Sequence, residues 1–165
     1  MTLEERITRL EDIESLRQLQ ARYQRCLDTR DFDGIADCFT EDVVSHYDDG
    51  HLSYQGREEV MRFLRKAMSL HMPSTHLIHG GEFAFADNEH ATGKWYLEDH
   101  LEHQRFLVKL HGAAIYDVLY RKEEGRWRIY QIGYQRCYQF FERRGIIDIL
   151  TLSKTTFLNA LRKKK

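Results

Sequence analysis

His79, Asp99, Tyr23, Asp28 and Arg136 are the residues of this 165-residue chain whose types and placement could move a proton or hold a developing charge. Strand parity sorts such residues by face, because successive side chains alternate. On a strand running from Leu77 to Ala86, the residues Leu77, His79, Phe83 and Phe85 share a face, which puts His79 among apolar neighbours. His76 has the opposite parity and is expected to face away. On the next strand Trp95, Leu97, Asp99 and Leu101 share one face and Lys94, Tyr96, Glu98 and His100 the other. Asp99 is thus a carboxylate on the more apolar side. Leaving it unpaired there costs several kcal/mol, so a partner is expected, either Arg136 in an ion pair or the His79 imidazole. On the last strand Tyr130, Ile132, Tyr134, Arg136 and Tyr138 line up, a guanidinium in an aromatic row. Each residue alone has a bland reading: a packed histidine, a core tyrosine, a stacked arginine. Together they describe a general acid-base site with an oxyanion donor, lined by Trp95, Phe83, Tyr134 and Leu97.

Metal chemistry is the other use of nine histidines. His76-x-x-His79 and His100-x-x-His103 would converge on a helix, but on a strand their rings point to opposite faces, which disfavours a zinc or iron site. Cys26, Cys38 and Cys137 are odd in number and lack CxxC spacing. No glycine-rich phosphate loop or GxSxG elbow occurs, so bound nucleotide and nucleophilic Ser or Cys mechanisms drop out. Neither a cofactor nor a metal is expected.

The elements that must position these groups are legible in outline. Thr2 with Glu5 three residues on is a capped helix start. Ile7, Leu10, Ile13, Leu16, Leu19, Tyr23 and Cys26 form one apolar stripe along a helix to about Leu27, with Asp28 just beyond it. Asp31 to Gly34 breaks it, Ile35 to Phe39 reads as a short second helix, and Val43 to Tyr47 as a strand. Gly56-Arg57-Glu58-Glu59 opens a third helix, which Met72-Pro73 ends. From Leu77 the period becomes two. Strands run over Leu77 to Ala86, Ala91 to His103, Leu110 to Tyr120 and Trp127 to Phe140, and Ser153 to Leu161 reads as a closing helix. Helices first, then long strands joined by short turns, give an α+β class. Three N-terminal helices on a strongly curved antiparallel sheet make a cone, with a pocket between the first helix and the sheet.

Composition fixes the setting. The length suits one domain over residues 1–165. The 25 Lys+Arg against 26 Asp+Glu give no global attraction to nucleic acid or an anionic membrane, and Lys163-Lys164-Lys165 reads as a solubilising tail. No run approaches the ~18 apolar residues of a membrane span, and the charged N-terminus lacks a signal-peptide core. A cytoplasmic protein is expected. Apolar residues on both faces of the third long strand (Ala113, Ile115 and Leu119 opposite Ala114, Tyr116 and Val118) point to self-association.

Three blocks carry a resemblance. Arg22-Tyr23-Gln24-Arg25-Cys26-Leu27-Asp28, Asp42-Val43-Val44 and Gly125-Arg126-Trp127-Arg128-Ile129 resemble the SnoaL-like branch of the NTF2-like superfamily, whose fold is the cystatin-like cone. Ala91 to Asp99, with its Trp-Tyr-Leu-Glu-Asp run, and Gly133 to Tyr138 look like the bile-acid 7α-dehydratases. That resemblance implies a pocket with a Tyr and an Asp from the first helix, a His and an Asp from the sheet and an Arg from the last strand, falling on Tyr23, Asp28, His79, Asp99 and Arg136. His76 lies three residues from the matched histidine and is the competing assignment. The implied activity is a cofactor-independent dehydratase acting on a hydrophobic, polycyclic or steroid-like substrate, with His79 as base and Asp99 holding its tautomer. A ketosteroid-isomerase-like proton shuttle and a noncatalytic binding or assembly module are the alternatives. The resemblance also implies a homotrimer, with a dimer next.

Overall fold

A computed structural model describes residues 1–104, 106–143 and 146–148. The closing helix expected over Ser153 to Leu161 and the lysine tail lie outside the described residues.

Helix α1 (Leu3–Thr29) starts on the expected capping box: the Thr2 hydroxyl accepts from the Glu5 amide at 3.1 Å, and the Glu5 carboxylate accepts from the Thr2 amide at 2.7 Å. It stops where Arg30 turns left-handed at φ 59°, its amide donating back to the last carbonyls. Helix α2 (Phe32–Cys38) runs directly into strand β1 (Phe39–Tyr47), so the strand begins four residues earlier than its apolar pattern suggests. Asp48, Asp49 and Gly50 all take positive φ and turn the chain into a short strand, β2 (Leu52–Gln55), for which the sequence gives no period-two signal. Helix α3 (Arg57–Ala67) buries Val60, Met61 and Leu64. Four long strands follow: β3 (Ser74–Phe85), β4 (His90–His103), β5 (Val108–Glu123) and β6 (Arg126–Arg143). A short β7 (Ile146–Asp148) pairs with β6.

The sheet order is β2-β1-β6-β5-β4-β3. It is antiparallel except where β1 lies parallel to β6, since the chain returns to β1 only after passing through α3 and the other strands. Register shifts in β3 after His79 and between β5 and β6 beside Ala113 and Leu119 mark the bulges that bend the sheet around α1.

The core lies between α1 and the concave face, with Leu16, Ile35, Phe39, Val43, Ile129 and Ile132 fully buried. The expected α1 stripe is only partly buried. Ile7 and Leu10 are 48% and 66% exposed, and burial starts at Asp12. Asp12 accepts from Trp127 Nε1 at 2.8 Å and from Lys122 Nζ at 2.5 Å, cross-strand partners beside the β5–β6 turn. In the turns of α1 before it, Arg9 stacks on the Phe85 ring at the end of β3, while Ile7 and Leu10 stay in water.

Candidate active site

Tyr23 projects from α1 into the cone and is 1% exposed. Its hydroxyl lies 3.1 Å from that of Tyr47, at the end of β1. Burial, reinforced by the neighbouring Tyr47 and Tyr116 hydroxyls, pushes the Tyr23 phenol well above its ordinary range. At neutral pH it is a proton donor in hydrogen bonds and not a base.

Asp28 occupies the last turn of α1, where Arg30 clamps the chain. The Arg30 guanidinium donates to the Asp28 and Met72 carbonyls and to the Ser74 hydroxyl. The Asp28 carboxylate is fully engaged: it accepts from Ser74 Oγ at 2.9 Å, from the His76 amide at 2.9 Å and from His76 Nδ1 at 2.6 Å. Burial alone would raise this carboxyl, but the His76 ring, the His76 amide and Ser74 outweigh it and hold it below the usual carboxylate range. An ionised carboxylate can only accept, so Nδ1 of His76 is the donor in this bond, and in the neutral ring Nε2 is the nitrogen with the lone pair.

His76, and not His79, is the cavity histidine. The His76 side chain is 9% exposed and lines the cavity, while His79 is exposed on the outer face. The parity expectation fails at Gly80-Gly81. There β3 places two residues against one, and Gly80 adopts φ +58°. Even-numbered residues point inward before this bulge, and the odd-numbered Phe83 and Phe85 point inward after it. Gly81 is needed for the bend, because a Cβ there would lie 2.6 Å from the Trp95 ring.

Asp99 is 2% exposed and is held by both terminal nitrogens of Arg136 at 2.6 Å. Burial opposes the guanidinium charge, but the two hydrogen bonds and the charge of Asp99 more than offset it and keep Arg136 cationic. Asp99 is therefore not the carboxylate that orients an imidazole; Asp28 holds that position. Asp99 sits opposite His76 in the β3–β4 register, which puts the ion pair beside the dyad. Between the strands of the pair Gly112 leaves the room: a Cβ there would lie 2.8 Å from Arg136 Nη1 and 3.1 Å from Asp99 Oδ1. The expected aromatic row on β6 also breaks. Bulges shift the register beside Tyr130 and Cys137, so Tyr134 and Arg136 point inward, while Tyr138 reaches the outer face and packs edge-on to His111.

Tyr23, His76, Asp99 and Arg136 face one cavity of about 310 Å³, at the lower end of small-molecule sites, and Asp28 reaches it only through His76. Its walls include Leu27, Phe63, Leu64, Met68 and Leu97, and its polar lining includes Tyr23, Tyr47, His76, Asp99, Tyr116 and Arg136. Of the four residues expected around a pocket, Leu97 and Tyr134 line this cavity, and Trp95 and Phe83 do not. Those two pack edge to face behind it, with Trp95 Nε1 donating to Tyr120 Oη and Tyr120 in turn to Gln20. Tyr47, Ser74, Arg30 and Gly112 were not selected from the sequence. Tyr47 shares the inward parity of Val43, which offered a signal; the others act through contacts distant in the chain.

Helices closing one side of a bent mixed sheet, with a histidine–carboxylate pair and tyrosines inside, define an α+β cone of the NTF2-like, cystatin-like architecture. The chain belongs to the SnoaL-like domain family, whose sequence profile matches residues 8–132. Among solved structures it is similar to a type 2 hexachlorocyclohexane dehydrochlorinase (TM-score 0.76, 16% identity, 90% of this chain and 98% of that one). It is equally similar to a protein provisionally assigned as a scytalone dehydratase from Novosphingobium aromaticivorans DSM 12444 (TM-score 0.76, 14% identity, 89% and 98%). A protein of unknown function from Mycobacterium tuberculosis shares 26% identity over 78% of this chain and 73% of that one, with TM-score 0.64. These likenesses show that the chain shares the fold of those proteins. No helix among the described residues is long and apolar enough to cross a membrane.

Proposed function

We propose that the protein is a cofactor-independent hydro-lyase that eliminates water from a hydrophobic, polycyclic or steroid-like substrate. The observation that carries this is His76, hydrogen-bonded to Asp28 and lining a cavity that Tyr23 also lines. His76 Nε2 takes a proton made acidic by a conjugated carbonyl, and Asp28 stabilises the imidazolium that forms. Tyr23, steadied by Tyr47, donates to the carbonyl oxygen as the enolate develops, where a preorganised donor has most effect. The enolate then collapses, the carbon–hydroxyl bond breaks, and the His76 proton leaves with the hydroxyl as water. The Asp99–Arg136 ion pair supplies a polar, net-neutral wall for a polar end of the substrate.

The lyase character of similar folds supports this reading, as does a cavity in which His76 Nε2 has no hydrogen-bond partner among the described residues, where a binding module with a filled core would close its polar groups on one another. Exposed Leu77 and Tyr96 on the outer sheet face favour self-association, as a trimer or else a dimer. The test is a panel of polycyclic β-hydroxy and vinylogous hydroxy ketones, followed by absorbance of the extended enone and by mass spectrometry. Loss of one water, abolished in His76→Ala, is the expected result. A product of unchanged mass with a moved double bond would replace elimination by isomerisation, and no turnover of any member would leave the binding module.

A further inference from the structure

A second group of chemistry-bearing side chains lies on the outer face of the sheet, away from the cavity. His100 on β4 and His111 on β5 are direct cross-strand partners, their rings stacked with centroids 4.1 Å apart and planes at 12°. Glu98 stands two residues before His100 on the same face, and the candidate ligand atoms of all three lie within 4.8 Å of one another. Glu98 and His100 are exposed and His111 partly so, and both histidines open onto a groove of about 780 Å³ among the described residues. Their register partners on the flanking strands are Thr75, Leu77 and Phe140. None of these is a cation; Lys109, two residues before His111 on the same face, lines the same groove and is the register partner of Glu102.

We infer that Glu98, His100 and His111 form a surface site for a divalent transition metal of the zinc type, with water completing its shell. Two imidazoles and one carboxylate are borderline ligands, matched to Zn²⁺, Co²⁺, Ni²⁺ or Cu²⁺ and poorly matched to Mg²⁺ or Ca²⁺. Ligand bonds of about 2.0–2.2 Å require the three donor atoms to draw together. Side-chain rotation supplies that movement, because β4 and β5 are paired without a break from His90 to His103 and the backbone positions are fixed. The spacing His100-x-x-His103 has no part in the site; register, and not sequence separation, brings the ligands together.

The test is calorimetric titration of the metal-free full chain with ZnCl₂, repeated with Co²⁺ for its visible absorption. One Zn²⁺ site is expected, weakened at least about tenfold in His111→Gln and in Glu98→Gln and unchanged in His103→Gln. Co²⁺ should give a ligand-field spectrum that His111→Gln abolishes, and excess Mg²⁺ should not compete. All three residues are on the surface, so circular dichroism of the variants should match the parent. Absence of Zn²⁺ binding, or binding that His111→Gln and Glu98→Gln leave intact, would overturn the assignment.

Discussion

At the scale of single residues, the account rests on which carboxylate meets which base. Asp28 is hydrogen-bonded three times and its carboxyl is held below the usual range. A carboxyl whose folded-state pKa is depressed contributes stability that is fully present above its unfolded value, about pH 4, and is lost as pH falls through the lower folded value. Asp28→Asn should therefore be less stable than the parent at neutral pH, and the gap should narrow below about pH 4. Urea titrations across that range would show it, and a gap independent of pH would remove the role given to the charge. Tyr23→Phe keeps the ring in the core and removes only the donor. Turnover should fall about 10²-fold, with stability lowered by only about 1 kcal/mol. Of the residues of the candidate site, Tyr23, Asp28, Asp99 and Arg136 were already singled out in the sequence, and the structure places them in or beside the cavity. The histidine was not, because parity counted from Phe83 and Phe85 is inverted across the Gly80-Gly81 bulge.

At the scale of elements, the long strands, the capped first helix and the class were readable from period and punctuation, since those signals are local. The β1–β6 parallel pair was not, because it joins strands distant in sequence; nor were β2 and the bulges, which pair with neighbouring strands but leave no period-two signal of their own. Gly112 shows the cost of that blindness. It reads as an unremarked strand glycine, yet it is the gap through which Arg136 reaches Asp99. Gly112→Ala should force the ion pair apart and lower stability by about 1–3 kcal/mol. Equilibrium unfolding measures this directly, and a variant as stable as the parent would mean that the strands adjust and the glycine is dispensable. The exposed first turns of α1 are a related lesson, for an apolar stripe records a face and not the end of the sheet it packs against.

At the scale of the whole molecule, the cone is a container, and its outer surface carries apolar side chains, Leu77 and Tyr96 among them, that a lone chain would leave in water. Light scattering on the full chain should give the mass of a trimer, or failing that a dimer; a monomer at assay concentrations would contradict the expected assembly. Inside the container, the central claim is that His76 is the base and His79 a bystander on the outer face. The most direct measurement compares His76→Ala and His79→Ala in the elimination assay, with folding checked by circular dichroism. His76→Ala should lose about 10²-fold or more in turnover, while His79→Ala should keep the parent rate. Retained activity in folded His76→Ala, or its loss in His79→Ala, would contradict the account.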